Sequence, residues 1–518
     1  MYERCIANLF NAAKRQSIGC EDAAEDIQQM YIEWFNSVIM PEIEELLCDF
    51  EYSLPLWYNH LTAAQQAEVD PCFTMTDEEL KTKIYSLFCK IEKQAWPEGE
   101  GPPKNRAISG PNREYKYVMG PICYALEQYF KKFKGYCGGK NWEEQEQLLN
   151  DCKDRGLTLT VEGDGSAFDR TQKIWLKILH DFQVYKFISN KIKHVNLEVF
   201  LHHALMETNR LALEMRQSGG SVEWYGYLEI LGQVMSGNCD TTLMNTFRMA
   251  CYNRFVIERI MQIPRDDYEL ACKGDDSRIS LHYTVDKDEV VKAYYTVFAR
   301  ANKDKLVKAR DIKHGIGQIM KFLKISDMTD IDFCSTETYW CEGCNSFKIT
   351  RQLKRFITLT PYSNSMLSLD HNDRLAYMQA LCDSNEKWCK GLPIYRVYND
   401  MLRTKFKTTK INGGRQRKLL PLGELDLFLA AKFKTKSIDH EVNIFGRDMA
   451  YGLIDRLSAK KDCCVESYYT FLYNNYNLTR NDIHIIEKEI INCGESFHSD
   501  LLEEAFQERS DRYSALMH

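Results

Sequence analysis

The sequence predicts an α+β fold of about three lobes, on three observations. Its 518 residues are about three times the ~150 residues of a typical domain. Two stretches alternate with period 2, as half-buried strands do. In the first, Leu157, Leu159 and Val161 alternate with Thr158, Thr160 and Glu162; in the second, Ile279, Leu281 and Tyr283 alternate with Arg278, Ser280 and His282. Helical patterns occupy the two ends, in an acidic region that runs to Pro97 and in amphipathic stretches toward the C-terminus.

With 44% hydrophobic and 27% charged residues, and no repeat or biased tract, the chain reads as globular rather than fibrous or disordered. Met1-Tyr2-Glu3-Arg4-Cys5 lacks the basic and apolar regions of a secretory signal, and no run approaches 18 apolar residues. The expectation is a chain with no transmembrane segment of its own. Nineteen cysteines, an odd number without framework spacing, point to reduced thiols in the cytoplasm and to no structural disulfides. The net charge of -7 conceals a gradient. Residues 1–100 hold 19 acidic and 7 basic side chains and residues 461–518 hold 11 and 5, which leaves the 360 residues between them at +11. Polyanion binding depends on local Lys and Arg rather than on the whole-chain sum, so this centre suits nucleic acid.

Taken in order, the first punctuation is Pro97-Glu98-Gly99-Glu100-Gly101-Pro102-Pro103, which interrupts helix and marks a boundary. The first strand then runs into Asp164-Gly165-Ser166-Ala167-Phe168-Asp169, exposing Asp164 at its end with Asp169 about one turn later. A calcium loop opening at Glu162 is excluded, because Ala167 stands where the turn needs Gly and Lys173 where the bidentate Glu belongs. Next, Ser236-Gly237-Asn238-Cys239-Asp240-Thr241-Thr242-Leu243-Met244-Asn245 reads as a small flexible pair followed by a helix. Thr241 and Asn245, four apart, share one face of that helix. Cys272-Lys273-Gly274-Asp275-Asp276-Ser277 reads as a tight hairpin turn, since Gly and Asp tolerate positive φ, and it projects two adjacent carboxylates. Any one of these segments has an ordinary structural explanation. Together, in this order and spacing, they have a chance probability on the order of one in a thousand from average composition.

The three segments resemble motifs A, B and C of viral RNA-dependent RNA polymerases, nearest to the tombusvirus-like and nodavirus-like positive-strand group, over residues 104–335. The resemblance implies a right-hand architecture: an RRM-like antiparallel palm sheet with mostly helical fingers and thumb. It divides the chain into an N-terminal helical extension bridging fingers and thumb (1–97), fingers with motif F (98–156), palm with motif A (157–186), a fingers insertion (187–230), palm with motifs B to E (231–335) and thumb (336–518). It implies template-directed ribonucleotidyl transfer by two Mg²⁺ ions, with Mn²⁺ as a substitute, held by Asp164 and Asp275 with Asp276 auxiliary. Asp169 and Asn245 would recognise the ribose 2'-hydroxyl, assisted by Ser236, Gly237 and Thr241. A donor and acceptor set of that kind rewards the hydroxyl, which a reverse transcriptase instead excludes with bulk.

Further residues follow from the same likeness. Lys104, Arg106 and Arg113 resemble the triphosphate grip of motif F, although Asn112 separates Pro111 from Arg113 where the family has Arg directly after Pro. Gly317-Gln318-Ile319-Met320-Lys321 resembles motif D, whose lysine acts as general acid toward pyrophosphate, with Lys324 as the competing choice. The hairpin-like Asp332-Phe333-Cys334-Ser335 resembles the primer grip of motif E. Lys405, Lys407, Lys410, Arg415, Arg417 and Lys418 form a basic run suited to RNA. Cys341-Glu342-Gly343-Cys344 has zinc-knuckle spacing without a second pair at a convincing distance; Cys334 is the one candidate third ligand nearby. The implied partners are template and product RNA, ribonucleoside triphosphates and other viral or host replication proteins. The implied location is the host cytoplasm, at membranes only through a partner. A reverse transcriptase and a catalytically inactive RNA-binding replication scaffold are the competing readings.

Overall fold

Both period-2 stretches form strands and helices surround them, so the fold mixes α and β as expected. The computed structural model describes residues 25–89, 107–165, 168–205, 208–216, 222–231, 234–300, 315–359, 378, 381–382, 385, 391–405, 462–493 and 497–515. The chain divides into two compact units: residues 1–90, 104–141 and 152–325 in one, and residues 91–103, 142–151 and 326–518 in the other.

The strands of the first unit are β1 (Ile84–Cys89), β2 (Ala107–Pro111), β3 (Gly135–Tyr136), β4 (Leu159–Gly165), β5 (Thr208–Arg216), β6 (Val222–Leu231), β7 (Tyr268–Lys273), β8 (Asp276–Leu281), β9 (Phe298–Arg300) and β10 (Gln318–Asp327). A six-stranded sheet has the order β3-β7-β8-β4-β10-β9. Its centre is antiparallel, β8 pairing with β7 on one side and β4 on the other. The sheet as a whole is mixed, however, where the resemblance implies an antiparallel one, because β3 runs parallel to β7 and β9 parallel to β10. Parallel neighbours need a crossover of a dozen or more residues. In the chain, 17 residues (301–317) separate β9 from β10 and 131 (137–267) separate β3 from β7.

The alternation predicts one solvated face, yet both faces of β4 and β8 are covered. The charged positions answer with pairing in place of water. Glu162 lies opposite Arg278 in register, and Lys324 on β10 reaches the Glu162 carboxylate at 3.4 Å. All three residues are under 5% exposed, and charges so buried require partners. A second sheet of the first unit has the order β2-β1-β5-β6. The acidic N-terminal region therefore includes a strand, β1. The Pro97–Pro103 punctuation between β1 and β2 lies outside the described residues.

The described helices include α1 (Glu25–Trp34), α2 (Arg113–Phe130), α3 (Trp142–Asp154), α4 (Leu197–Leu205), α5 (Thr241–Arg254) and α6 (Lys287–Val297), with a helical stretch over residues 174–188. Tyr31 of α1 packs among Trp34, Trp175, Tyr252 and Phe255. Its hydroxyl meets His180 Nε2 at 2.7 Å, and His180 Nδ1 lies 2.7 Å from the Leu176 carbonyl. Burial pushes the His180 pKa down to about 3. A neutral ring with its proton on Nδ1 satisfies both contacts, donating to the carbonyl and accepting from the tyrosine. The N-terminal helices are thus part of the core of the first unit.

The second unit contains the hairpin of β11 (Thr336–Cys341) and β12 (Ser346–Arg351) and the helices α7 (Tyr395–Lys405), α8 (Asp462–Tyr476), α9 (Arg480–Asn492) and α10 (Asp500–Ala515). Tyr339, Tyr395, Tyr468, Phe471, Ile486 and Phe506 belong to its core. Glu337 is fully buried there and accepts from Tyr476 and from Arg509 Nη1, while Arg509 Nη2 also donates to Asp332 at 2.9 Å. The segment read as a motif E hairpin is instead a tight turn. Phe333–Ser335 is one 3-10 turn, with φ of +55° at Cys334 and +64° at Ser335, and the hairpin follows it as β11 and β12. Lys405 ends α7; Lys407, Lys410, Arg415, Arg417 and Lys418 lie outside the described residues. Among the described residues no helix is long and apolar enough to cross a membrane.

Candidate functional site

The β7 to β8 turn is held from beneath by α5. Gly274 has φ of +64°, a left-handed conformation that glycine adopts without strain. Its amide donates to Thr246 Oγ1 at 2.9 Å. Thr246 is fully buried, and its own hydroxyl donates to the Thr242 carbonyl at 2.6 Å. The turn leaves Asp275 exposed and starts β8 at Asp276, which lies opposite Asp164 in the β4·β8 register. The Gly165 amide also faces the Asp275 carbonyl at 3.4 Å. Neighbouring strands lie about 4.8 Å apart, so Asp164, Asp275 and Asp276 share one end of the sheet. Among the described residues, the group drawn together at metal-binding distance is a set of four cysteines in the second unit. Asp164 and Asp276 meet in backbone register, with Asp275 beside them on the turn, rather than as three converged carboxylates, and like charges favour such separation until a cation joins them. Hard carboxylate oxygens from adjacent strands are a donor set that suits Mg²⁺.

Asp169 and Asn245 come together directly. Asn245 Nδ2 donates to Asp169 Oδ1 at 2.5 Å, and the Asp169 carbonyl accepts from the Val234 amide at 3.2 Å. The orientation of Asn245 is set in turn by Arg248 Nη1, which donates to Asn245 Oδ1 at 2.7 Å. Arg248 is itself clamped by Asp181, with Nε to Oδ1 at 3.1 Å and Nη2 to Oδ2. Burial pushes the Asp181 carboxyl above its ordinary value despite the guanidinium beside it. Thr246, Arg248 and Asp181 escaped the sequence reading. Arg248 carried a signal, since it lies three residues beyond Asn245 and seven beyond Thr241, on the same helical stripe.

The Ser236-Gly237 pair clips onto β2. Ser236 Oγ accepts from the Ser109 amide at 3.2 Å, and the Gly237 amide donates to the Ser109 carbonyl at 3.1 Å. Thr241 Oγ1 donates to the Met235 carbonyl at 2.8 Å. These two hydroxyls therefore tie down the loop that precedes α5. A Cβ on Gly237 would lie 2.5 Å from the Ser109 carbonyl oxygen and 3.0 Å from Gly110 Cα, so only glycine permits the approach. Gly237→Ala is expected to cost about 1–3 kcal/mol, read as a lowered thermal midpoint. Ser109→Ala keeps the backbone contacts and should leave the midpoint within about 2 °C.

The remaining residues are placed less fully. Lys104 and Arg106 lie outside the described residues, immediately before β2. Arg113 starts α2 and pairs with Glu114 at 3.0 Å. The backbone of Lys321 lies in β10, and its side chain is outside the described residues. Lys324, its competitor as general acid, is committed to the buried pair with Glu162. Comparison with models of known protein families and with curated protein sequences finds no match.

Proposed function

We propose that this chain is a viral RNA-dependent RNA polymerase of right-hand architecture that copies an RNA genome by template-directed ribonucleotidyl transfer. The observation that carries the reading is the register of β4 against β8, which sets Asp164 opposite Asp276 with Asp275 beside them on the turn. In this reading the six-stranded sheet with α5 is the palm, the four-stranded sheet belongs to the fingers, and the second unit supplies the thumb.

Bound Mg²⁺, held by Asp164 and Asp275 with Asp276 auxiliary, would activate the primer 3'-hydroxyl and neutralise the leaving pyrophosphate. The protein positions the nucleotide. A carboxylate has about four lone-pair sites, so Asp169 can keep the Asn245 amide and also accept a ribose 2'-hydroxyl. Arg248 keeps the Asn245 amide donating toward Asp169 by occupying its oxygen. Lys104, Arg106 and Arg113 are assigned to the triphosphate and Lys321 to protonation of the pyrophosphate. Template RNA and ribonucleoside triphosphates are the substrates, with the cytoplasm of an infected cell as the setting.

The test is incorporation of labelled nucleotides by the purified chain with Mg²⁺ and a primed RNA template. Ribonucleotides are expected to be incorporated and deoxyribonucleotides excluded. Preference for deoxyribonucleotides would transfer the assignment to a reverse transcriptase, and template binding without incorporation would make the chain a scaffold. Asn245→Ala should narrow the ribonucleotide to deoxyribonucleotide ratio by roughly tenfold or more, since discrimination by a buried hydrogen-bonding set fails when one member is lost. The ratio is internal to one preparation, so a partial loss of folded protein does not move it. An unchanged ratio would remove Asn245 from sugar recognition.

A further inference from the structure

We infer that the second unit holds a structural zinc ion on Cys341, Cys344, Cys463 and Cys464. The four sulfurs all lie within 4.8 Å of one another. Cys341 and Cys464 are 3.6 Å apart, Cys344 and Cys463 3.6 Å, and Cys344 and Cys464 3.5 Å. A tetrahedral ion with Zn–S bonds of ~2.3 Å has S···S edges of about 3.8 Å, whereas a disulfide closes to ~2.05 Å. The spacing matches a coordination tetrahedron and leaves all four thiols unbridged.

The local chain is shaped for this cluster on both sides. Cys341 ends β11 and Cys344 sits in the turn before β12, where Asn345 takes φ of +48° as asparagine tolerates. The Cys344 amide donates to the Cys341 sulfur. Gly343 lets the turn close: a Cβ there would stand 2.3 Å from Cys463 Cβ and 2.8 Å from its Sγ. Cys463 and Cys464 open α8, so their sulfurs sit in the first turn of a 15-residue helix, where the helix dipole favours thiolates. Lys348 on β12 interacts electrostatically with Cys344 and Cys464. Binding would release the thiol protons and leave four thiolates around a dication, for a net charge of about -2. The amide, the helix terminus and the ammonium all oppose that charge.

Four soft sulfur ligands with no open position select zinc in a structural role. Cys341 and Cys464 are 123 residues apart, so the ion would pin the β11–β12 hairpin to α8 by closing a long loop, which a chain otherwise closes at an entropic cost. Cys334, the third ligand that the spacing suggested, is not in the cluster. This inference does not rest on the polymerase reading, because metal content is measured without any assay of synthesis.

The experiment is elemental analysis of the full chain purified under reducing conditions without chelator. One zinc per chain is expected, falling at least tenfold in Cys341→Ser and in Cys464→Ser, and retained in Cys334→Ser. Should the ligand variants fail to fold, cobalt exchanged into the wild-type chain should show the visible absorption of a tetrahedral thiolate site. Wild-type chain that carries no zinc, carries iron instead, or shows disulfides among these four residues by mass spectrometry would overturn the assignment. So would loss of zinc from Cys334→Ser.

Discussion

Asp275→Ala is expected to lower ribonucleotide incorporation at least about a thousandfold, equivalent to ~4 kcal/mol of transition-state stabilisation, while shifting the thermal midpoint by no more than about 2 °C. The two expectations have separate origins. Asp275 is exposed at the tip of the turn, and the Gly274 amide on Thr246 and the β7·β8 pairing hold the turn through its backbone. Removing one of three neighbouring carboxylates also relieves repulsion. In the proposed reaction the same carboxylate would be required, because the charge developing on the transferred phosphoryl group would be countered by a cation that Asp275 helps to hold. Asp164→Asn should fall as far, and Asp276→Asn less, as an auxiliary ligand. Asp267→Ala, which removes another acidic side chain just ahead of β7, should leave incorporation unchanged and so excludes a general effect of surface charge. Incorporation by Asp275→Ala within about tenfold of wild type would end the assignment of this turn as the catalytic one.

What the sequence made legible was the local structure carried by short spacings. The turn of Gly274, Asp275 and Asp276, the strand end at Asp164 and the helix face of Thr241 and Asn245 are each set within a few residues, where backbone periodicity and turn preferences act directly. The resemblance grouped Asp169 with Asn245 as expected ribose contacts, but their direct hydrogen bond crosses 76 residues and no spacing in the sequence signals it. What stayed hidden depends on burial and on distant pairing. Alternation in β4 and β8 reads as a half-solvated sheet, because Glu162 and Arg278 look like surface charges until Lys324 and the opposite strand surround them. Thr246 looks like an ordinary helix residue, and only the β7–β8 turn packed over it reveals its role. Cys463 and Cys464 have no knuckle spacing at all. They complete a four-sulfur set only because α8 packs its first turn against the β11–β12 hairpin. The parallel edge strands β3 and β9, two and three residues long, are too short to leave a period in the sequence.

Arg248→Met is expected to destabilise the first unit by about 3–5 kcal/mol, the cost of leaving a buried charge without its partner, and to lower the thermal midpoint by roughly 10 °C. Both side chains of the Arg248 and Asp181 pair are at most 3% exposed, so water cannot replace the lost guanidinium. The pH dependence follows from the direction of the Asp181 shift. Burial already holds its folded pKa above the ordinary 3.8 with Arg248 present, and removing Arg248 raises it further. A carboxyl whose pKa is raised on folding favours the folded state while protonated and loses that contribution as pH rises through the folded pKa. The deficit of Arg248→Met relative to wild type should therefore be smallest in acid and widen toward neutral pH, as monitored by denaturant midpoints across that range. Arg248→Met with Asp181→Leu removes both charges and should recover most of the stability, since an apolar pair of similar volume often matches a buried ion pair. That double variant separates the two roles of the arginine. Its fold is restored while Asn245 still lacks the Nη1 donor that holds its amide toward Asp169, so it should keep a lowered ratio of ribonucleotide to deoxyribonucleotide incorporation. Recovery of stability together with full sugar discrimination would confine Arg248 to a packing role and leave Asp169 to orient Asn245 alone.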